Sequence, residues 1–172
     1  VTYLKSRGLM YMKVTLLLLY GFLEIVAQGP DSPVRLSMEF NAVFWDLLSP
    51  HFRNLLQTTG ATPATPADKS TYAPTVQQAL EKLPLKFSNG VRIHGLLAGE
   101  KLEELIFQPG TWKRRLLLFR KPISADTLLL LTSNYMVIIQ EELGVVQGWI
   151  IAYLPRNSIA GMQNQTCNLW NE

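Results

Sequence analysis

The chain has 172 residues, 48% of them hydrophobic and 17% charged, enough to bury a full core in one domain or in two small units. Sixteen Lys and Arg against 13 Asp and Glu give a formal charge of +3, too small an excess to imply nucleic acid as a partner unless it is concentrated in one patch. The single cysteine, Cys167, excludes an internal disulfide framework and fits a reducing, cytoplasmic setting.

The chain opens at Val1 in sequence that already looks structured, so a fragment of a longer protein is expected. Residues 9–27 are the most apolar stretch, but Lys13 and Glu24 break it into runs well short of the roughly 20 residues that a spanning helix needs. It also leads into Glu24 and not into a small-residue cleavage site, which argues against a secretory signal. Residues 14–28 and 34–40 read instead as two strands about a Gly29-Pro30-Asp31-Ser32-Pro33 turn. In the second, Val34, Leu36, Met38 and Phe40 alternate with Arg35, Ser37 and Glu39, the period of a half-buried antiparallel strand. From Asn41, an N-cap by residue type, the period changes. Val43, Phe44, Leu47, Leu48, Phe52, Leu55 and Leu56 fall at helical spacing, so residues 41–57 are expected to form an amphipathic helix, bent or divided at Pro50 with Ser49 as a second N-cap.

Residues 59–74 carry Pro, Thr and Ala with almost no aliphatic bulk and read as a linker. Beyond it, Thr75 can cap a short amphipathic helix through Leu83. Residues 85–87 and 91–93 flank Asn89-Gly90, the pair best suited to a type I′ turn, so a β-hairpin is expected there. Residues 101–108 look like a strand, Pro109-Gly110 a turn, and residues 112–119 a further strand. Residues 126–159 read as a three-stranded meander. Strands 128–132 and 135–140 flank a Ser133-Asn134 turn, and a second turn through residues 141–147 leads into strand 149–154, which Pro155 stops.

Sliding the chain on itself by 150 residues places Val1-Thr2-Tyr3-Leu4 on Ile151-Ala152-Tyr153-Leu154, Met12 on Met162 and Leu19 on Leu169, so the two ends read as related. Residues 1–58 would then be the back half of one module, and residues 75–172, after the linker, the front half of the next. The stretches GEKLEELIF, TLLLLTSNYMVIIQEE and WIIAYLPRNSIAGM resemble the opening strands of prokaryotic pleckstrin-homology-like (PH-like) domains, and FNAVFWDLLSPHFRNLL is similar to their closing helix. The resemblance implies a mainly β, α+β fold, an antiparallel split barrel with a closing amphipathic helix, here permuted from two half-modules because the helix half comes first. It also implies a non-catalytic interaction module that binds a protein partner and needs no cofactor. Two copies could exchange halves across the linker.

Little in the chain points to chemistry. His51 and His94 have no second His or Cys at metal spacing, and Cys167 has no His near it in sequence. Glu103-Glu104 and Glu141-Glu142 are neighbours, which on a strand point to opposite faces. No glycine-rich phosphate loop, GxSxG elbow or HExxH helix is present. Asn164-Gln165-Thr166 fits the glycosylation sequon, a coincidence in an intracellular chain. The feature with functional content is Lys113, Arg114, Arg115, Arg120 and Lys121, five cations within nine residues. Guanidinium and ammonium groups hold phosphate by charge-assisted hydrogen bonds, so the alternative function is a peripheral module on anionic lipid headgroups. The competing interpretation is a wet strand face whose charges discourage edge pairing.

Overall fold

The computed structural model describes residues 8–59, 74–95, 97, 100–115, 119–143 and 148–159, with backbone alone at residues 58–59, 74–75, 112–115 and 119–121. Strands β1 (Leu9–Leu17), β2 (Tyr20–Gln28) and β3 (Pro33–Asn41) come first and lead through a 3₁₀ turn at Ala42–Phe44 into helix α1 (Trp45–Thr59). Helix α2 (Pro74–Lys82) and helix α3 (Leu85–Gly90), which widens into a π turn over Val91–Gly95, precede β4 (Leu102–Gln108). A small hairpin, β5 (Trp112–Arg115) and β6 (Phe119–Pro122), separates β4 from β7 (Thr127–Thr132), β8 (Tyr135–Glu141) and β9 (Gly148–Pro155).

Seven strands form one antiparallel sheet in the order β3-β2-β1-β9-β8-β7-β4, and β5-β6 pair separately. The two halves of the sequence meet at β1 and β9, in register from Met12 opposite Tyr153 to Leu17 opposite Gly148. One cross-strand row, Phe107, Leu128, Ile139, Ile151, Val14, Leu23 and Met38, runs the width of the sheet. Leu128, Ile139, Ile151 and Val14 in it are fully buried, each stabilising the fold by about 1.5–3 kcal/mol. Leu56 of α1, Val76 of α2, and Phe87 and Val91 of the α3 segment cover this face. Two buried tyrosines tie the layers together: the Tyr135 hydroxyl donates to the Leu56 carbonyl and that of Tyr153 to the His94 carbonyl. The mainly β, α+β class is therefore observed.

Several finer expectations fail. The sheet is open, with β3 and β4 as its edges, so the split barrel does not close. Residues 14–28 are not one strand. They contain the Leu18-Leu19 turn between β1 and β2, which the apolar run conceals. The Asn89-Gly90 hairpin is absent, because Phe87, Gly90, Val91 and His94 are buried at helical spacing on the sheet. A Cβ at Gly95 would lie 2.5 Å from Leu130 Cδ1, a proximity that no turn propensity encodes. Tertiary packing overrides the local signal there. Residues 112–115 form β5, which pairs antiparallel with β6 from Phe119 onward, so residues 112–119 are not a single strand; residues 116–118 lie outside the described residues. Helix α1 runs through Pro50 without dividing, with Ser49 inside it. The Asn41 cap is as expected, its Oδ1 accepting from Val43 N at 3.0 Å, and so is the β7-β8-β9 meander; α2 forms too, but it starts at Pro74, so Thr75 lies within the helix and does not cap it. Residues 60–73 of the expected linker, residues 144–147 of the second meander turn, Cys167 and the sequon lie outside the described residues.

Candidate functional site

The antiparallel order sorts the connections onto two ends of the sheet. One end carries the turns of β2-β3 and β7-β8 and the 3₁₀ turn at Arg156–Ser158. It is polar and cross-braced. The buried Glu100 carboxylate accepts from Asn134 N at 2.9 Å and from Asn134 Nδ2 at 2.6 Å, and Lys101 N donates to Ser133 Oγ at 3.1 Å. Arg156 donates to Glu103 at 2.8 Å and to the Thr132 carbonyl at 3.1 Å. These bonds tie the β7-β8 turn to the residues that lead into β4 and to Arg156 beyond β9, and so restrain this end.

The other end is its opposite in character. It carries the β1-β2 turn, the β3-α1 junction, the β8-β9 connection and the base of the β5-β6 hairpin. Leu18 is 72% exposed and Leu19 68%, at a position where short hairpins take Gly, Asn or Asp. Leu18 is also the one described non-glycine residue with positive φ, at 49°, a conformation that costs a branched side chain about 1–2 kcal/mol. Ala42 N donates to the Leu19 carbonyl at 2.8 Å, which fixes this turn against the start of α1. There Val43, Phe44 and Leu47, at helical spacing, are 67%, 55% and 68% exposed. Five large apolar side chains therefore stand together in water, and one of them is held in a strained backbone.

The β5-β6 hairpin leaves from the same end, because β4 finishes there and β7 begins there. Its base is clamped: Ile123 N donates to the Thr111 carbonyl at 2.8 Å, Thr111 N donates to Ser124 Oγ at 2.9 Å, and Gly110 N donates to Asp126 Oδ1. Within it the register sets Lys113 opposite Lys121 and Arg114 opposite Arg120. Like charges directly opposite destabilise a strand pair. All five sequence-selected cations, Lys113, Arg114, Arg115, Arg120 and Lys121, are thus gathered on one short hairpin at the apolar end.

The remaining candidates are dispersed. His51 is exposed on α1, and Glu103 and Glu104 are exposed on β4. Glu141 binds Lys86 at 2.6 Å. His94 is buried beside Trp45, and its Nδ1 has no hydrogen-bond partner among the described residues. Burial chiefly, with the nearby Arg53 charge, lowers its pKa to about 4, so the ring is neutral at physiological pH. Sequence reasoning also missed the cluster on the helix-free face. There the Glu24 carboxylate, 2% exposed, accepts from the Tyr11 hydroxyl and meets Arg35 at 2.9 Å and Lys13 at 3.7 Å. The Tyr11 hydrogen bond first, then the Arg35 and Lys13 charges, hold its pKa below the usual value against the opposing effect of burial. Every group in it is satisfied, which makes it a brace across three strands. Among the described residues no three His, Cys, Asp or Glu side chains converge as metal ligands, and no helix is long and apolar enough to cross a membrane. Comparison of the chain with family models, with curated proteins and with solved structures finds no match.

Proposed function

We propose that this chain is a non-catalytic binding module that docks onto an anionic membrane surface by the turn-bearing, apolar end of its sheet. The observation that carries the proposal is that Leu18, Leu19, Val43, Phe44 and Leu47 lie at the same end of the sheet as the five-cation hairpin, the first group toward the β3 edge and the second toward the β4 edge, against a braced polar end opposite. The two kinds of group suit the two layers of a bilayer. Apolar side chains gain by entering the headgroup-acyl boundary, and Lys or Arg near an anionic surface contributes about 1 kcal/mol each. Strain at Leu18 adds support, because a costly conformation that exposes an apolar side chain has no gain within the chain itself.

The test is sedimentation with phosphatidylcholine vesicles, with and without phosphatidylserine, at low and high salt. Binding that needs the anionic lipid, falls with salt and is lost when Lys113, Arg114, Arg115, Arg120 and Lys121 are all replaced by Gln is the expected result. Absence of binding to anionic vesicles at low salt overturns it. A protein partner is the second reading, favoured by the helix-free row Ile106, Leu129, Ile138 and Ala152, which is apolar and no better than half-buried. Kinship with PH-like domains is a proposal of the same standing, resting on the sequence stretches alone.

A further inference from the structure

Strand β3 is an edge, and among the described residues nothing pairs with its outer side. Arg35, Leu36, Ser37, Met38 and Glu39 are all exposed along it. Leu36 and Met38 are 49% and 39% exposed although they belong to the apolar face. Leu36 ends the row that begins at Leu105 and passes through Leu130, Val137, Tyr153, Met12 and Ile25. Met38 ends the row that passes through Val14 and Leu23. Among the described residues, two core rows therefore run out to a strand that no helix or loop covers.

We infer that β3 is a self-complementary edge at which a second copy of this chain adds antiparallel to it, about a two-fold axis through Ser37. The strand spans Pro33–Asn41, so Ser37 is its midpoint, and full-length pairing sets Pro33 against Asn41, Val34 against Phe40 and Arg35 against Glu39. Leu36 then meets Met38, and Ser37 meets Ser37. Both oppositely charged pairs form, and each core row continues into the partner's other row. No neighbouring register does this. Moving the axis to Leu36 sets Arg35 against Ser37, and moving it to Met38 sets Ser37 against Glu39, so both charge pairs are lost. Moving it by half a residue sets apolar positions against polar ones.

Proline and charge ordinarily protect an edge from such pairing. Here Pro33 is at the first position, where its missing N–H interrupts no ladder, and one cation with one anion, spaced evenly about the centre, attract instead of repelling. Arg35 binds Glu24 at 2.9 Å but has five N–H donors, enough to hold the partner's Glu39 as well. The two-fold axis stands perpendicular to the sheet, so the helices of both copies fall on one side and the two apolar ends point away from each other.

The test uses the full chain with Cys167→Ser as background. The introduced thiols of Ser37→Cys meet at the axis, within disulfide reach, whereas those of Asp31→Cys lie in turns beyond the strand ends, which are themselves roughly 26 Å apart at about 3.3 Å per residue. Rapid disulfide dimerisation of the first variant and not the second is expected. Light scattering should give a concentration-dependent dimer, weakened about tenfold by Glu39→Lys, which sets two cations opposite each other twice. A monomer at all concentrations, or a dimer whose Ser37→Cys form crosslinks no faster than the Asp31→Cys form, overturns the inference; the second outcome would be that of exchanged halves. All of these are read without lipid, so they stand or fall separately from membrane binding.

Discussion

Replacing Leu18 by Gly should make the protein more stable and worse at its proposed task. In the folded chain Leu18 has a φ of 49° and 72% exposure, so its side chain contributes little packing while its backbone is strained. Glycine relieves a left-handed penalty of about 1–2 kcal/mol and costs about 0.5–1 kcal/mol of extra chain entropy, leaving a net gain of about 0.5–1 kcal/mol. For a chain of this length that raises the melting temperature by about 1–4 °C. Inserting the exposed part of a leucine into the acyl boundary is worth about 1–2 kcal/mol, so the same change should weaken partition to anionic vesicles by about 5- to 30-fold. Thermal melts by circular dichroism and vesicle sedimentation on the same samples read both effects. Leu18→Asn, which tolerates positive φ but is polar, should reproduce the loss of binding. A lower melting temperature, or unchanged vesicle binding, would refute the reasoning, because either would mean that Leu18 is there for the fold.

Three further outcomes follow from the core and its braces. His94 takes its proton at about 4 in the folded chain and near 6.5 when unfolded, so the unfolded state binds the extra proton between those values. Stability is full above pH 6.5 and is lost as pH falls toward 4, by about 3 kcal/mol in all, and His94→Gln should flatten that slope in urea titrations at pH 7, 5.5 and 4.5. Gly95→Ala drives a Cβ to 2.5 Å from the Cδ1 of the fully buried Leu130 and should cost about 1–3 kcal/mol, read as a lower urea midpoint. Glu24→Gln removes the charge that Arg35 and Lys13 neutralise. Because both cations reach into solvent, the cost should be about 1–2 kcal/mol and not that of a deeply buried pair, and it should vanish as the wild-type carboxylate protonates at low pH.

Much of the sheet was legible in the chain because alternation is a local signal. It is plain in β3, where Val34, Leu36, Met38 and Phe40 share one face in fact as in pattern, while the meander strands were legible as short apolar runs bounded by turn residues, an equally local signal. Asn41 and the helical spacing after it were legible for the same reason. The failures come from residues whose conformation is decided at a distance. Asn89-Gly90 is a strong turn signal locally, but Phe87, Val91 and His94 gain more by covering the sheet as a helix. The Leu18-Leu19 turn is the converse case, a turn made of residues that ordinarily avoid one. Of the site, the basic cluster was plain in the sequence, since it is contiguous. Its apolar counterpart was not, because Leu18, Val43 and Phe44 become neighbours only through the Ala42–Leu19 hydrogen bond, and exposed leucines read as core in one dimension. Lys13 and Glu24 registered only as interruptions of an apolar run; that they face each other with Arg35 depends on strand register.

The central claim is that one particular end of the sheet meets the membrane. An environment-sensitive fluorophore attached through Leu19→Cys, in the Cys167→Ser background, reports on that end, and one attached through Asn157→Cys reports on the braced end. On adding phosphatidylserine-containing vesicles, the label at position 19 should shift to the blue and be quenched by lipids brominated on their acyl chains, while the label at position 157 should be unchanged. Equal responses at both positions, or a response at 157 alone, would contradict the account.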